Sequence, residues 1–352
     1  MLVVNTPGTW RHVYPPLLHA EWHGWTPTDT IFPFFLFIVG VSMAFSFGRR
    51  LEEQGDRRHL FIHLVRRSVV IFLLGLAMNV ASFFLFGREH LRIPGVLQRI
   101  GLCILIADLI HLVLGRRLLL PAAAVLLVLY WSLLTFVPVP GLGTGRLDPG
   151  GDNLAGWVDR AILGPHTWKP GWDPEGPLST IPAAATTLLG VAAGEGLRRR
   201  PLSGPTLVGL MGCGAVALSL GAIWGVAHPI NKNLWTSSYA LFMAGMAAVA
   251  LAICLWLVDV RGWKSWGAPF RWLGKNALAI FMTSLLATLL LLAVRLPTAD
   301  GKGRSLYGVL YRTLFDRFAD PRLGSLLFAL TFTGVFVGLA GLLDRKRIYV
   351  RV

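Results

Sequence analysis

Residues 30–47 read TIFPFFLFIVGVSMAFSF, an apolar run that directly follows the polar segment HAEWHGWTPTD at residues 19–29. An apolar run of this length is typical of a helix that crosses a lipid bilayer. Ionisable side chains beside such a helix are costly to keep there and are commonly functional. We therefore expect this polar segment to lie at a membrane surface and to carry the chemistry of the protein.

The rest of the chain repeats the apolar pattern. Charged residues make up 14% of the 352 residues, against about 25% in a soluble domain. Residues 1–4 are apolar but too few to span, and they resemble the C-terminal end of a helix whose beginning is missing. The sequence predicts an all-α fold, a single polytopic bundle over residues 1–352 with about ten spans, the first one truncated. The nine complete spans are predicted at residues 30–47, 68–86, 93–114, 118–137, 178–197, 206–227, 237–258, 273–296 and 323–343.

The charge distribution predicts which loops share a side of the membrane. The net charge is +15, but no nucleic-acid-binding motif accompanies it, so we do not expect a nucleic-acid partner. One alternating set of loops carries 18 Lys and Arg in mostly short segments, and the other carries 12 in longer ones. By the positive-inside rule the first set, which includes the C-terminus, is cytoplasmic. The polar segment before residue 30, the loop at 138–177 and the loop at 228–235 then share the outer face.

Candidate catalytic residues lie in the opening segment. His19 can act as a general base or a nucleophile, or it can be an interfacial histidine bonded to a loop carbonyl. Asn5 can orient a carbonyl or an imidazole, or cap a helix. Asp29 can cap the following helix or orient a histidine. We expect no metal, because prolines and glycines around His19 and His23 oppose a helix and no third ligand has suitable spacing.

Candidate acceptor-binding residues lie in the outer loops. Amide, ammonium and indole groups cluster at residues 231–235, and such groups suit sugar hydroxyls and the face of a sugar ring. An aromatic belt at the interface is the alternative explanation for many of the tryptophans. We assign acceptor binding to Trp22, His23, Glu175, Asn231, Lys232, Asn233 and Trp235.

An arginine lies inside a predicted span. Arg99, with Gln98 beside it, begins the span at 93–114. An intramembrane arginine requires a carboxylate or a polar cavity, and Glu175 in the facing loop is the partner we expect. The alternative is snorkelling of Arg99 to the interface.

Ordered motifs over nearly the whole chain resemble one family. They are NTPG at 5–8, HAEWHG at 19–24, DTIFPFFLFIVG at 29–40, RIPGVLQR at 92–99, WDPEGPLST at 172–180, PINKNLW at 229–235 and GKNA at 274–277. The chain resembles the bacterial relatives of heparan-α-glucosaminide N-acetyltransferase. In this resemblance His19 matches the active-site histidine and Asn5 its neighbouring asparagine. Relatives carry a segment ahead of the position that matches Met1, so we expect the chain to start inside the first helix.

The resemblance implies acetyl transfer across a membrane. Acetyl-CoA would be used from the cytosol, and the amine of an amino sugar or glycan would be acetylated on the periplasmic side of the bacterial inner membrane. We expect Arg99, Gln98, Lys275 and Asn276 to serve the acetyl-CoA site or its route through the bundle. A homodimer is expected to be possible. Two alternatives are a transporter for amino sugars or muropeptides and an O-acyltransferase of an envelope polysaccharide.

Overall fold

Long helices make up most of the computed structural model, which describes residues 1–54, 57–297 and 303–350. Short 3₁₀ turns precede α2 and follow α4, and a π-helical turn extends α9. Two very short strands, β1 (Arg295–Leu296) and β2 (Arg304–Ser305), pair antiparallel. The helices are α1 (Leu2–Asn5), α2 (Ile31–Gln54), α3 (Arg57–Phe86), α4 (Val96–Leu114), α5 (Leu119–Phe136), α6 (Leu154–Leu163), α7 (Thr180–Arg198), α8 (Gly204–Ala227), α9 (Ser237–Leu255), α10 (Ala268–Lys275), α11 (Ala277–Ala293), α12 (Leu306–Phe315) and α13 (Pro321–Arg345).

Eight of the nine complete spans that the sequence predicts each overlap one long helix, and the span at 273–296 covers the end of α10, all of α11 and β1. The all-α polytopic fold is therefore confirmed. Among the described residues, seven helices are long and apolar enough to cross a membrane, and the count is eight if α10 and α11, which meet at an angle of 84°, form one broken span. The ninth helix is α7, whose many small and polar residues leave it below that standard of composition.

Helix α7 can be this polar because it occupies the centre of the bundle. Most of its residues are buried, and it packs against α2, α4, α5 and α9. The approach to α2 is so close that a Cβ on Gly40 would lie 2.1 Å from the carbonyl oxygen of Thr187. A Cβ on Gly190 would likewise lie 2.1 Å from the carbonyl oxygen of Phe37. Small residues at such contacts let helix backbones pack directly, which is a common way to associate helices in membranes.

Loops that are far apart in sequence meet at one end of the bundle, which we call the His19 end. It comprises the loops before α2, between α3 and α4, between α5 and α7, between α8 and α9, and before α13. Backbone hydrogen bonds join Gly24 to Ile230 at 2.8 Å and Ile93 to His166 at 3.0 Å. The Trp22 indole donates to the Leu147 carbonyl at 2.7 Å, and the Tyr14 hydroxyl donates to Asp320 at 2.9 Å. These contacts bring together the loops that the charge distribution predicts on one side.

The opposite end, which we call the Asn276 end, holds the α10–α11 junction and the chain after α13. Asn276 lies in the junction, between the two helices. Its amide donates to the Ile348 carbonyl at 3.1 Å, and its side-chain oxygen accepts the Val350 N–H at 2.9 Å. The C-terminal segment is therefore held against the junction.

Candidate functional site

His19 and Asp29 form the closest polar pair of the opening segment. His19 Nδ1 lies 2.7 Å from Asp29 Oδ1. Of the two alternatives for Asp29, helix N-cap and orientation of a histidine, the structure shows the second, since the N-cap of the turn before α2 is Thr26. Asp29 Oδ2 accepts the Thr26 N–H at 3.0 Å in a capping box at that turn. The carboxylate thus fixes the imidazole while it is itself held by the start of a membrane helix.

Further hydrogen bonds fix the Asp29 carboxylate. Oδ2 also accepts the Ala20 N–H at 3.0 Å and the Thr26 hydroxyl at 3.1 Å. The Tyr239 hydroxyl, from α9, donates to the Asp29 backbone carbonyl at 2.7 Å. The Asp29 side chain is almost completely buried, with 1% exposed. A buried carboxylate with this many donors is rigid, and it remains ionised because its charge is hydrogen-bonded.

The pairing determines which nitrogen of His19 is available for chemistry. An ionised carboxylate only accepts hydrogen bonds, so Nδ1 carries the proton and Nε2 carries a lone pair. The His19 side chain is half exposed. A histidine with a carboxylate on one nitrogen and an accessible lone pair on the other is the arrangement of a general base or a nucleophile.

The turn between α8 and α9 brings a lysine to this pair. Lys232 Nζ lies 2.9 Å from His19 Nδ1, 3.2 Å from Nε2 and 3.5 Å from Asp29 Oδ1. Asn231 supports the turn, because its side-chain oxygen accepts the Leu234 N–H at 2.9 Å. Burial lowers the pKa of Lys232, and the nearby carboxylates of Asp29 and Glu175 oppose that effect.

Two further histidines lie beside the turn. His23 is exposed, and its Nδ1 is 3.4 Å from the Asn231 amide. His228 is 2% exposed, and its buried Nε2 has no hydrogen-bond partner among the residues that the structure describes. Burial, together with the nearby His23, lowers the pKa of His228 to about 4. His228 is therefore neutral at physiological pH, and no pattern in the sequence distinguishes it from an ordinary outer-loop histidine.

Arg92, and not Arg99, is the partner of Glu175. The Arg92 guanidinium donates two hydrogen bonds of 2.7 Å to the Asp173 carboxylate and one of 2.5 Å to Glu175. Our expectation of an Arg99–Glu175 pair is wrong. Arg99 instead donates to the Ser179 hydroxyl and, at 3.2 Å, to the Gly176 carbonyl. The reason is position, since Arg92 precedes α4 and faces the loop, whereas Arg99 is buried one turn inside the helix.

Asp159, on α6, is hydrogen-bonded to the backbone of the same loop. Its Oδ2 accepts the Asp173 N–H at 2.8 Å, while its buried Oδ1 has no hydrogen-bond partner in the described part of the chain. Burial raises the pKa of Asp159 to about 7. Sequence reasoning did not single out Asp159, although a carboxylate in the middle of an amphipathic helix was a detectable signal.

The candidate acceptor-binding residues divide into two groups. Trp235 is 1% exposed, and its ring packs edge-on against Phe32 and Tyr239 while its N–H donates to Thr186. The structure therefore does not leave it free to stack on a sugar. Its φ of 50° is the left-handed conformation of a tight turn, which the buried ring holds in place. Trp22, His23, Lys232 and Asn233 have partly or fully exposed side chains, and the Lys232 ammonium contacts His19.

Asn5 lies apart from the His19–Asp29 pair. It ends α1, its side chain is exposed, and the described structure shows no hydrogen bond from it to His19. Of the two candidate orienting residues, Asp29 holds the imidazole in this conformation. Asn5 as a catalytic residue stays a prediction.

The four residues expected to serve acetyl-CoA are used within the fold. Gln98 donates to the Ile93 carbonyl at 3.0 Å, and Arg99 bonds to the α7 cap as described. Lys275 pairs with Asp344 at 2.7 Å, and Asn276 hydrogen-bonds to the C-terminal segment. A cavity of about 400 Å³ lies next to these residues without being lined by them. Its apolar walls include Ile31, Phe35, Val96, Ile100, Gly274, Ala277 and Phe281.

Within residues 1–54, 57–297 and 303–350, no group of three His, Cys, Asp or Glu side chains is placed to hold a metal ion.

Comparison with known proteins supports the resemblance. The sequence profile of heparan-α-glucosaminide N-acetyltransferase, catalytic, matches residues 10–148, which include His19 and Asp29. Human heparan-α-glucosaminide N-acetyltransferase is 30% identical over 319 residues, an alignment that covers 75% of this chain and 48% of the human protein. The chain is similar to the heparan-α-glucosaminide N-acetyltransferase family. The mouse relative is 29% identical with the same coverage, so this chain spans about half the length of the curated relatives it matches.

Proposed function

We propose that this chain is an acetyl-CoA-dependent N-acetyltransferase that acetylates the amine of an amino sugar. The observation that carries the proposal is the oriented imidazole of His19, which has a buried carboxylate at Nδ1 and an accessible Nε2. The names of the human and mouse relatives describe the same reaction class, N-acetyl transfer to a glucosaminide. The position of the pair at the start of a membrane helix fits a donor and an acceptor that approach from different sides.

Two routes use the same His19 geometry. In the covalent route Nε2 attacks the thioester carbonyl, the C–S bond breaks, and CoA leaves as the thiolate. The neutral acceptor amine then attacks the acetyl-imidazole, its proton passes to Nε2, and the C–N bond to the ring breaks. In the direct route the neutral amine attacks the thioester carbonyl while Nε2 takes its proton, the C–S bond breaks, and CoA leaves as the thiolate. In both routes Asp29 stabilises the positive charge that develops on the ring.

The thioester requires a path to His19. The cavity of about 400 Å³ is the route that we propose, because its walls include the first turns of α2 and α4, which begin at the His19 end, and the α10–α11 junction at the Asn276 end. This replaces the expectation that Arg99 and Asn276 themselves line the path. An apolar wall suits the acyl-carrying arm of a thioester better than it suits a free anion.

The proposed orientation follows from the loop charges. The Asn276 end carries the denser Lys and Arg, so we place it, with the C-terminus, in the cytoplasm and the His19 end in the periplasm of the inner membrane. Single cysteines introduced at either end of a cysteine-free chain test this orientation. An impermeant thiol reagent added to intact spheroplasts is expected to label only the His19 end.

The proposal is tested with the purified chain in proteoliposomes, supplied with labelled acetyl-CoA and a panel of amino sugars and glycan fragments. Labelled N-acetyl product is expected from glucosamine-type amines. An active preparation that acetylates only hydroxyl groups would support O-acyl transfer, and uptake of sugar without acetyl-CoA would support a transporter. Omission of the acceptor separates the two chemical routes, because a labelled His19 peptide indicates the covalent route.

A further inference from the structure

The ammonium of Lys232 has an unusual position relative to the His19 ring. Its nitrogen is nearly equidistant from the two ring nitrogens, at 2.9 Å from Nδ1 and 3.2 Å from Nε2. A donor on the in-plane axis of one ring nitrogen would lie much farther from the other nitrogen. Nζ is therefore off both axes, where it does not compete with Asp29 for the Nδ1 proton or lie on the in-plane lone pair of Nε2.

We propose that Lys232 is a catalytic residue, whose ammonium stabilises the oxyanion formed when a carbonyl carbon reacts at or beside His19 Nε2. This inference rests on the proposed acyl transfer. An oxygen on a carbon bonded to Nε2 comes within hydrogen-bonding reach of a group 3.2 Å from that nitrogen. The direct route places the thioester carbonyl in the same region, so the role does not depend on which route operates.

The protein holds Lys232 in place before any substrate binds. Its turn is fixed by the Asn231 side chain and by the Thr236 hydroxyl, which accepts the Asn231 N–H at 3.0 Å. The Lys232 side chain is 21% exposed, and its charge lies 3.5 Å from Asp29 Oδ1. A donor that is already oriented and partly desolvated stabilises developing charge far better than a mobile surface lysine, because it does not reorganise during the reaction.

The charge of Lys232 also favours a particular acceptor. A protonated amine would bring a second cation next to the ammonium, whereas a neutral amine or hydroxyl would not. The charged groups that face Lys232 are His19 and Asp29 from the opening segment and Glu175 from the loop before α7. Of these two carboxylates only that of Asp29 has an oxygen within 4 Å of Nζ among the described contacts, and it is also bound by other donors. We therefore expect the free base of the amino sugar to be the reacting form.

The first test compares Lys232→Met with Lys169→Met, a variant of an outer-loop lysine that stacks on Trp168 away from the site. Lys232→Met is expected to lower kcat by roughly 10² to 10³, the usual effect of removing one oxyanion donor, while KM for both substrates changes little. Lys169→Met is expected to retain wild-type kcat. An unchanged kcat in Lys232→Met, or a raised KM for the sugar alone, would overturn the proposal.

The second test is chemical rescue, which also applies if Lys232→Met is unstable. Lys232→Ala leaves space beside His19, and methylammonium is expected to restore part of kcat in a saturable way. Tetramethylammonium has the same charge but no N–H, so it is expected to restore nothing. If neither cation restores activity, or both do equally, Lys232 is not a hydrogen-bond donor to the oxyanion.

The third test is the pH profile. Because burial lowers the pKa of Lys232, the wild-type kcat is expected to fall at alkaline pH below the ordinary lysine pKa of about 10.4, as the ammonium loses its charge. Lys232→Arg keeps its charge over this range and is expected to lack that decline. The same alkaline decline in both proteins would contradict the role. Failure of the wild-type chain to transfer acetyl at all would instead refute the proposed function.

Discussion

The two ends of the bundle, as far as the structure describes them, each contain a lysine near a carboxylate and an asparagine. At the His19 end, a half-exposed side chain also keeps one nitrogen that the carboxylate does not bind. At the Asn276 end, Lys275 bonds to Asp344 and lies over the Tyr349 ring, while both polar atoms of Asn276 bind the C-terminal segment. At the His19 end, Asp29 saturates one side of the imidazole and leaves Nε2 accessible.

This difference distinguishes polar groups that stabilise the fold from polar groups that take part in catalysis. Burial of a polar group costs little when all its hydrogen bonds are made within the protein. Such a group has no free donor or acceptor with which to bind a substrate. A catalytic group is held through some of its atoms while another atom stays open to a substrate. The following predictions test this contrast, from the largest expected effect to the smallest.

Among variants that keep His19, Asp29→Asn is expected to have the largest effect. The amide can still contact Nδ1, but it no longer carries the charge that stabilises a protonated or acetylated ring. We expect kcat to fall by roughly 10² to 10⁴. The measurement is single-turnover acetyl transfer in proteoliposomes. Transfer at the wild-type rate would show that the carboxylate only completes the capping box before α2.

Asp173→Asn is expected to destabilise the outer loop. It removes one charge from the Arg92 pair, whose carboxylate is buried. Breaking a buried pair on one side commonly costs about 3–5 kcal/mol. Thermal unfolding in detergent and protease cleavage within residues 138–179 measure the effect. Wild-type resistance to protease would contradict a structural role for the pair.

Asp159 is expected to make stability depend on pH. Its folded pKa of about 7 lies above its ordinary value, so the protonated form is the one the fold favours. The stabilisation is complete below the ordinary carboxyl pKa and is lost as the pH rises from about 4 to about 7. Unfolding midpoints of wild type are expected to fall across this range, and those of Asp159→Asn are expected to fall less. Parallel pH dependences would exclude Asp159 as the source.

Asn276→Ala is expected to have the smallest effect on catalysis. Loss of its two hydrogen bonds to the C-terminal segment is expected to reduce stability by about 1–3 kcal/mol, because partners are left unsatisfied. KM for acetyl-CoA is expected to stay unchanged, and Asn276→Asp serves as a same-size control. A raised KM with wild-type stability would restore Asn276 to a donor-binding role.

Much of the fold was predictable because a membrane imposes it. Apolar length alone located nine helices, and loop charge correctly grouped the loops that meet at the His19 end. The position of α7 at the centre of the bundle was not predictable, because it depends on close contacts between helices at Gly40 and Gly190. Its small and polar residues gave a weaker apolar signal, although they are what allows the helix to lie at the centre.

The site was predictable only where its parts are close in sequence. Asp29 was a candidate to orient His19 because the two are ten residues apart and precede the same helix. Lys232, which is 213 residues from His19, was identified as an acceptor-binding residue but not as a neighbour of the ring. The partner of Glu175 was misassigned because RIPGVLQR contains two arginines. The two carboxylates of the DPE motif can both accept hydrogen bonds from one guanidinium in a neighbouring loop. This pattern favoured Arg92, which lies in a loop, over Arg99.

The most direct test of the central claim is the rate of acetyl transfer from acetyl-CoA to glucosamine by His19→Ala and His23→Ala, each reconstituted beside wild type at matched protein density. The two histidines lie in the same segment, but only His19 is paired with Asp29. Our account predicts that His19→Ala abolishes turnover, whereas His23→Ala retains kcat and changes at most KM for the sugar. Acetyl transfer that survives His19→Ala would contradict the account.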